Sequence, residues 1–539
     1  MLQKVATAGV ELNNVYDQTL RRIKEQKGDR SRLGMEVLMW VSHAERPLRI
    51  DELCYALAVE MEATDLDLED IRPQDTVLGS CLGLVVVDKA TSTVRLIHYT
   101  LQEYLSRPGV LPDAHKTLAQ SCLAYLNYDL VKRLQANEVP NLGDMPFLEY
   151  SSLYWGGHAE MELSDLAKTL ALKLLSRYDS HVSSILLFNK VWGNFFPWDT
   201  SRRFIGLHCA SCLGIDKIVA TLIEMEGCNI NQRDCMGYTP LIWAAKQGNQ
   251  GAVTLLLTRD DIDPNNSDDY GMTPLWWASE NGHEGVVRLL LARGDVNPDK
   301  PDDYGGTPLG CASRNGHEEV VKILLAREDV NHDEPDDNNQ APLWGASFSG
   351  HEGVVRLLLA RGDVDTDRCG FNGKTPLWWS SMNGCEGVVR LLLARDDVDP
   401  DKPDFDGQTP LWGASCGGHE EVVRLFLARD DVNPDKPTNS GKTPFWNACF
   451  EGHQGVVRLL LTRDEVNPDR SDNHGRTPLW GASSKGHEGV VRLLLARDDV
   501  SPDKPDTSGQ TPLGIASERS HTQIVALLQP RTSSLSSTD

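Results

Sequence analysis

One interval governs this chain. Thr-Pro pairs stand at 239, 273, 307, 375, 409, 443, 477 and 511, and Ala341-Pro342 fills the gap, so each of the nine pairs follows the last by 34 residues. A period of that length, held in register, marks a repeat architecture in which each interval is one supersecondary module. One step earlier, "IGLHCASCLGIDKIVATLIEM" from Ile205 keeps the frame without its Thr-Pro, which brings the array to about ten modules over 205–531. A chain of 539 residues exceeds what one hydrophobic core can serve. Stacked modules divide the apolar content instead, because none buries its own apolar side alone.

The module "TPLWGASSKGHEGVVRLLLARDDVSPDKPDTSGQ", Thr477 to Gln510, reads in order. Thr caps a helix and Pro sits in its first turn, where a missing N–H costs nothing. "LWGAS" forms a short helix that a Gly such as Gly486 ends. His-Glu then opens a second helix, "EGVVRLLLAR", with apolar residues at helical spacing. Asp, Asn, Pro and Gly follow as an extended, turn-rich finger.

These residues resemble the ankyrin repeat: its T-P-L-H-x-A opening, its G-H between helices and its V-V-x-L-L-L helix recur over roughly 205–531. The resemblance implies a mainly α fold, an ankyrin-repeat solenoid of about ten units. In that family the finger tips and first helices line the concave face that takes a protein ligand. One departure stands out: the family's His after Thr-Pro-Leu is Trp at 276, 344, 378, 412 and 480. Indole packing is expected to replace the hydrogen bonds that this His makes.

The same ruler disposes of several decoys. Gly441-Lys442-Thr443 spells the end of a phosphate loop, but the equivalents of Lys442 are Met272, Gly306, Gln340, Lys374, Gln408, Arg476 and Gln510, and Lys436 stands where the first loop Gly belongs. "GASCG" (Gly413 to Gly417) fits a nucleophile elbow, yet Ser415 lies inside a first helix, in the slot of Ser279, Ser313 and Ser483. His283, His317, His351, His419, His453, His487 and His521 come one per module. Neighbouring copies then sit about 10 Å apart, too far to share a zinc ion, and each is expected to bond nearby backbone. Cys209, Cys212, Cys228 and Cys235 read as structural thiols, since one C-x-x-C is weak evidence for zinc. The Asp-rich fingers lack the spacing of a calcium loop. The Arg at the second-helix ends (Arg293, Arg361, Arg395, Arg429, Arg497) can interact with the following Asp and with the helix dipole, and read as a solvated charge ladder. No catalytic residue, metal or cofactor is assigned.

Function is sought where modules differ. The variable slots lie on first helices and finger tips, and several hold large apolar residues. Phe348, Phe371, Trp379, Met382, Phe405 and Phe450 are expected near one another across the modules opening at 341, 375, 409 and 443, as a contact patch for a protein. Trp277, Tyr270, Tyr304, Arg314 and Lys246 occupy the same slots elsewhere and complete the candidate protein-binding set.

Ahead of the array, 31–107 reads as helices followed by a hairpin. "SRLGMEVLMWVSHA" is an amphipathic helix, Asp51 a helix cap, and "LGLVVVDKATSTVRLIHYT" two strands and a polar turn. "WVSHAERPLRIDEL" and "VRLIHYTLQEYL" resemble the winged-helix segment that follows the NACHT nucleotide-hydrolysing domain in fungal NACHT–ankyrin proteins. The resemblance implies a remnant helical segment over 1–30 from the end of a NACHT-like region, a winged-helix domain over 31–107 and a helical connector over 108–204. The phosphate loop of that family belongs upstream of Asn13, so no nucleotide hydrolysis is expected of this chain. The tail 532–539 is too polar to pack and reads as disordered.

A net charge of −25 argues against nucleic acid and anionic membranes as partners. The expected helix before the hairpin, "DTVLGSCLGL", carries no Lys or Arg for DNA. No stretch reaches the length of a membrane span, and twelve scattered Cys fit the reducing cytoplasm, with the nucleus as a second compartment. The expectation is a non-enzymatic protein-binding scaffold, the sensor half of a NACHT-type receptor by resemblance, engaging a signalling complex through its N-terminal region. A plain adaptor and a fragment of an NTP-hydrolysing enzyme are the alternatives.

Overall fold

The computed structural model describes residues 2–134, 143–192 and 203–532, and their regular secondary structure is almost wholly helix, with 30 α-helices and one two-stranded sheet among them. The chain packs as two compact bodies. One takes the residues up to Pro274 together with Ala292–Val296; the other takes Leu275–Leu291 and the residues from Asn297 on.

In the first body, α1 (Leu2–Lys24), α2 (Arg30–His43), α3 (Ile50–Leu57) and α4 (Gln74–Ser80) precede a hairpin of β1 (Val85–Val87) and β2 (Val94–Leu96), and α5 (Tyr99–Leu105) follows. The strands pair antiparallel, Val85 opposite Leu96 and Val87 opposite Val94. Arg49 bridges to Thr93, so the extended residues before α3 lie along the hairpin edge. Asp51 is not the cap of α3: the helix starts one residue earlier, and Glu52 accepts the Arg49 backbone N–H at 2.7 Å. Glu52 is buried and tolerates burial through the Arg46 guanidinium, 2.7 Å away. Next come α6 (Ala114–Leu126), α7 (Asp129–Lys132), α8 (Phe147–Met161), α9 (Asp165–Leu175) and α10 (Val182–Trp192). Trp40 of α2 meets Phe147 of α8 edge-on, ring centres 5.5 Å apart, in the shared core.

The modules obey one local logic. Thr375, Thr409, Thr443 and Thr477 each accept the backbone N–H three residues on, at 3.0–3.2 Å, with Pro in the first turn. Ala341 supplies no such cap, yet its helix, Pro342–Ser349, still forms. Gly418, Gly452 and Gly486 end their first helices with φ of +75 to +86°, where the imidazole of the next module leaves no room for a Cβ. Second helices such as Glu386–Leu393 bury Val388, Val389 and Leu392 and expose Arg390.

The expected disordered tail lies outside the described residues, apart from Thr532, which ends the helix Thr522–Thr532.

Asp234, in the finger of the first body, couples this packing to pH. Its carboxylate accepts the backbone N–H of Met236 and Tyr238, both at 2.9 Å, and the Trp243 indole N–H at 2.8 Å. Burial outweighs these bonds and pushes its pKa up from 3.8 to about 6. A raised acid binds its proton more tightly when folded. Its contribution is therefore full below 3.8 and is lost as pH rises through about 6. The loss amounts to at most about 3 kcal/mol. A carboxyl-carbon NMR titration is expected to place Asp234 near that midpoint; one at the ordinary value contradicts this.

Candidate protein-binding face

The recurring residues spend their chemistry on the module before them. In the second body the Nε2–H of His317, His351, His419 and His453 donates to the carbonyls of Glu280, Arg314, Met382 and Cys416, each 37 residues upstream and 2.9–3.0 Å away. Each of these four imidazoles therefore serves as an inter-module staple, with its bonding nitrogen taken by backbone.

The Arg series pairs with the following Asp as expected at Arg293, Arg395, Arg429 and Arg497, but it is less solvated than the sequence suggests. Nη1 of Arg327, Arg361, Arg395, Arg429 and Arg463 reaches a carbonyl 36 residues upstream, at 2.6–3.1 Å, near the end of the preceding second helix. Arg395 also grips Asp397 with Nε and Nη2, both at 2.8 Å. These five Arg thus satisfy orphan carbonyls at helix C-termini, whereas Arg497 shows only its pair with Asp499.

Tryptophan does more than pack. The indole N–H of Trp276, Trp344 and Trp446 donates to the carbonyls of Gly306, Lys374 and Arg476, 30 residues on. In the module opening at Ile205, which keeps a His, His208 Nε2 bonds the carbonyls of Gln232 and Tyr238. So the hydrogen bond survives in those three modules. In Trp378, Trp412 and Trp480 the buried N–H has no hydrogen-bond partner among the described residues.

Finger acids close their own turns. Asp404 Oδ1 accepts the N–H of Asp406 and Gln408 at 3.0 and 2.8 Å. Successive tips are laced by backbone: Phe405 N–H to Asn372 at 3.1 Å, Asn439 to Asp406 at 2.9 Å, Asn473 to Ser440 at 3.0 Å. Gly441 takes φ +82° in this lacing, and its equivalent Asn339 takes +59°. Thr443 caps a helix, and Lys442 Nζ lies 4.4 Å from the Trp446 ring centre. All three letters of the apparent phosphate loop thereby have scaffold roles. Ser415 is wholly buried in the helix Pro410–Gly417. Cys209 and Cys212 are buried in the helix Gly206–Leu213, and burial pushes the Cys212 thiol up to about 12.

The variable residues face outward. Phe405 is 78% exposed, Phe371 59% and Phe348 38%; Tyr270 and Tyr304 are exposed at their finger tips. Trp379, Met382, Phe450, Trp277 and Lys246 are half-buried, and Arg314 is exposed. Phe348 stacks on Trp344 at 5.4 Å and meets Trp379 edge-on at 5.0 Å, so two modules share one aromatic cluster. Phe405 lies over Gly373, two residues from Phe371: a Cβ there would sit 2.6 Å from its ring. Met382 lines the approach to Gly413.

Phe450 stands apart from that cluster among the described ring contacts. It stacks on Trp446 at 5.1 Å, with Lys485 Nζ 4.7 Å from its ring centre. It lines a groove of about 550 Å³ with Trp412, Lys442, Asn447 and Glu451. Elsewhere Trp277 leans edge-on against Trp276 at 5.1 Å, Arg314 reaches Asp336 at 3.5 Å, and in the first body Lys246 Nζ lies 5.3 Å from the Tyr238 ring centre.

Sequence reasoning passed over the cations that brace this face. Lys374 Nζ sits 3.5 Å from the Trp378 ring centre and 4.8 Å from that of Trp379. Burial lowers the pKa of both Lys374 and Lys442. An ammonium over an indole face is attracted by the ring quadrupole. The signal was the i,i+4 spacing of Lys374 to Trp378 and of Lys442 to Trp446.

The family model described as ankyrin repeats (3 copies) matches the chain in overlapping stretches that together run over residues 207–539. The winged helix domain of GPI inositol-deacylase matches residues 22–114. Comparison with curated proteins yields no match.

Proposed function

The chain belongs to the ankyrin repeat family, and from that premise we propose that it is a non-enzymatic scaffold whose array takes a protein ligand on its first helices and finger tips. One observation carries this reading. The recurring His and Arg side chains bond the neighbouring module, whereas Phe348, Phe371 and Phe405 vary in type between modules, stay exposed and collect on one stretch of the stack. Such clusters are what binding hot spots use. The main contact patch spans the modules opening at 341, 375, 409 and 443, and the groove beside Phe450 extends it.

The front end supports a finer reading. A winged-helix match over 22–114, then packed helices, then the array, is the order expected for the sensor half of a NACHT-type receptor. In this proposal the domain bounds are 31–107, 108–204 and 205–531, and the N-terminal region docks into a signalling complex. The helix α4 carries no Lys or Arg, which supports a protein role for this wing rather than a DNA role. No described helix is long and apolar enough to cross a membrane. All twelve Cys are free thiols, which fits a cytoplasmic setting.

Affinity capture from extracts of the source cells, with the full chain as bait beside a bait altered only on the patch, tests the reading. Proteins recovered by the first and lost from the second support it; identical recovery by both contradicts it.

A further inference from the structure

Three residues far apart in sequence converge in the first body. Glu45 follows α2, His115 opens α6, and His158 lies near the end of α8. Their ligand atoms all lie within 4.8 Å of one another. The two Nδ1 atoms of His115 and His158 are 3.0 Å apart. Two nitrogens bound to one tetrahedral zinc at about 2.0–2.1 Å are separated by roughly 3.3 Å. The imidazole pair is thus within a few tenths of an ångström of metal-binding spacing.

The surroundings hold the His158 ring in place. Its Nε2 lies 2.9 Å from the Tyr150 hydroxyl, which also accepts the Glu45 backbone N–H at 3.1 Å. That contact turns the other ring nitrogen, Nδ1, toward His115. An outer hydrogen bond that orients a histidine in this way is the usual companion of a metal ligand. His158 is wholly buried. The Arg46 guanidinium beside Tyr150 is held by Glu52 at 2.7 Å and faces Glu149 at 3.6 Å. Glu45 and His115 are more accessible than His158, which gives an ion a route in.

We propose that Glu45, His115 and His158 form a zinc-type divalent metal site that ties α2, α6 and α8 together. Two imidazoles and one carboxylate suit zinc or a similar first-row ion and leave a fourth position for water. Because folding brings the three ligands together, bound metal stabilises the first body by mass action. Without metal, the same two imidazoles make a simple hydrogen bond, one donating to the other.

The test uses the full chain stripped with chelator and titrated with cobalt(II), followed by zinc competition. One equivalent of cobalt is expected to give tetrahedral visible bands that zinc abolishes, and zinc is expected to raise the melting temperature. His115→Gln, at a half-exposed site, is expected to lose the signal while keeping the helical circular dichroism of the parent. Glu45→Gln is expected to weaken cobalt binding at least about tenfold. His487→Gln, in the module array, is expected to bind like the parent. No one-equivalent signal from the parent, an undiminished signal from His115→Gln, or a loss with His487→Gln each overturns the proposal.

Discussion

Phe426→Ala is expected to open the modules around it and leave the first body intact. Phe426 is wholly buried in the helix Glu420–Leu427. Its equivalents Leu324, Leu358, Leu392, Leu460 and Leu494 are wholly buried as well, so this slot belongs to the core of each of these modules. Truncation removes the ring and leaves a cavity that packed neighbours fill only partly, at a cost of about 3–5 kcal/mol. Phe426→Leu installs the residue that the other modules already accommodate and should cost under about 1.5 kcal/mol. In a stack each module contacts mainly its neighbours, so the damage spreads to the adjoining modules rather than through the whole chain. Urea unfolding with hydrogen exchange reads both effects. Loss of protection confined to the helices between Pro410 and Leu460 is the expected pattern. Equal losses from both variants, or a loss shared evenly with α2, α6 and α8, contradict the local-stack account.

The second large effect is on binding. Changing Phe348, Trp379 and Phe405 together to Ser is expected to reduce recovery of the captured protein by at least about 100-fold, because exposed aromatic anchors carry most of an interface's free energy. Phe348 and Phe405 are exposed, so their loss costs the fold little. Trp379 is half-buried against Phe348 and Trp344, and its removal loosens one aromatic cluster without breaking a staple. The helical circular dichroism and the unfolding midpoint of the array check this. Arg390→Ala, on the exposed side of a second helix, should leave recovery unchanged. Undiminished recovery by a folded triple variant removes the patch from the account.

The array was legible because its constraints are local and repeated. Thr-Pro caps, glycine stops and the V-V-x-L-L-L stripe each act within one module, and nine copies in register exclude accident. What could not be read were bonds set by the rise from one module to the next. The reach of Arg395 to the Leu359 carbonyl, and of the Trp344 indole to that of Lys374, depends on how closely modules stack, which no single module specifies. The aromatic slots were visible as variation, but their grouping was not. Trp344 recruits Phe348 and Trp379 into one cluster, while Phe450 falls to Trp446 and two lysines. Glu45, His115 and His158 carry no sequence signal at all, because the packing of α6 and α8 against the residues after α2, and not a motif, brings them together.

Site-specific photo-crosslinking in the source cells tests the central claim most directly. A photoreactive phenylalanine analogue is placed either at 405, on a finger tip, or at 390, on the outer side of a second helix. The account predicts a covalent protein adduct from position 405 and none from 390. An adduct from 390 with none from 405 would put the ligand on the other face, and the assignment of meaning to the variable, outward-facing residues would be wrong.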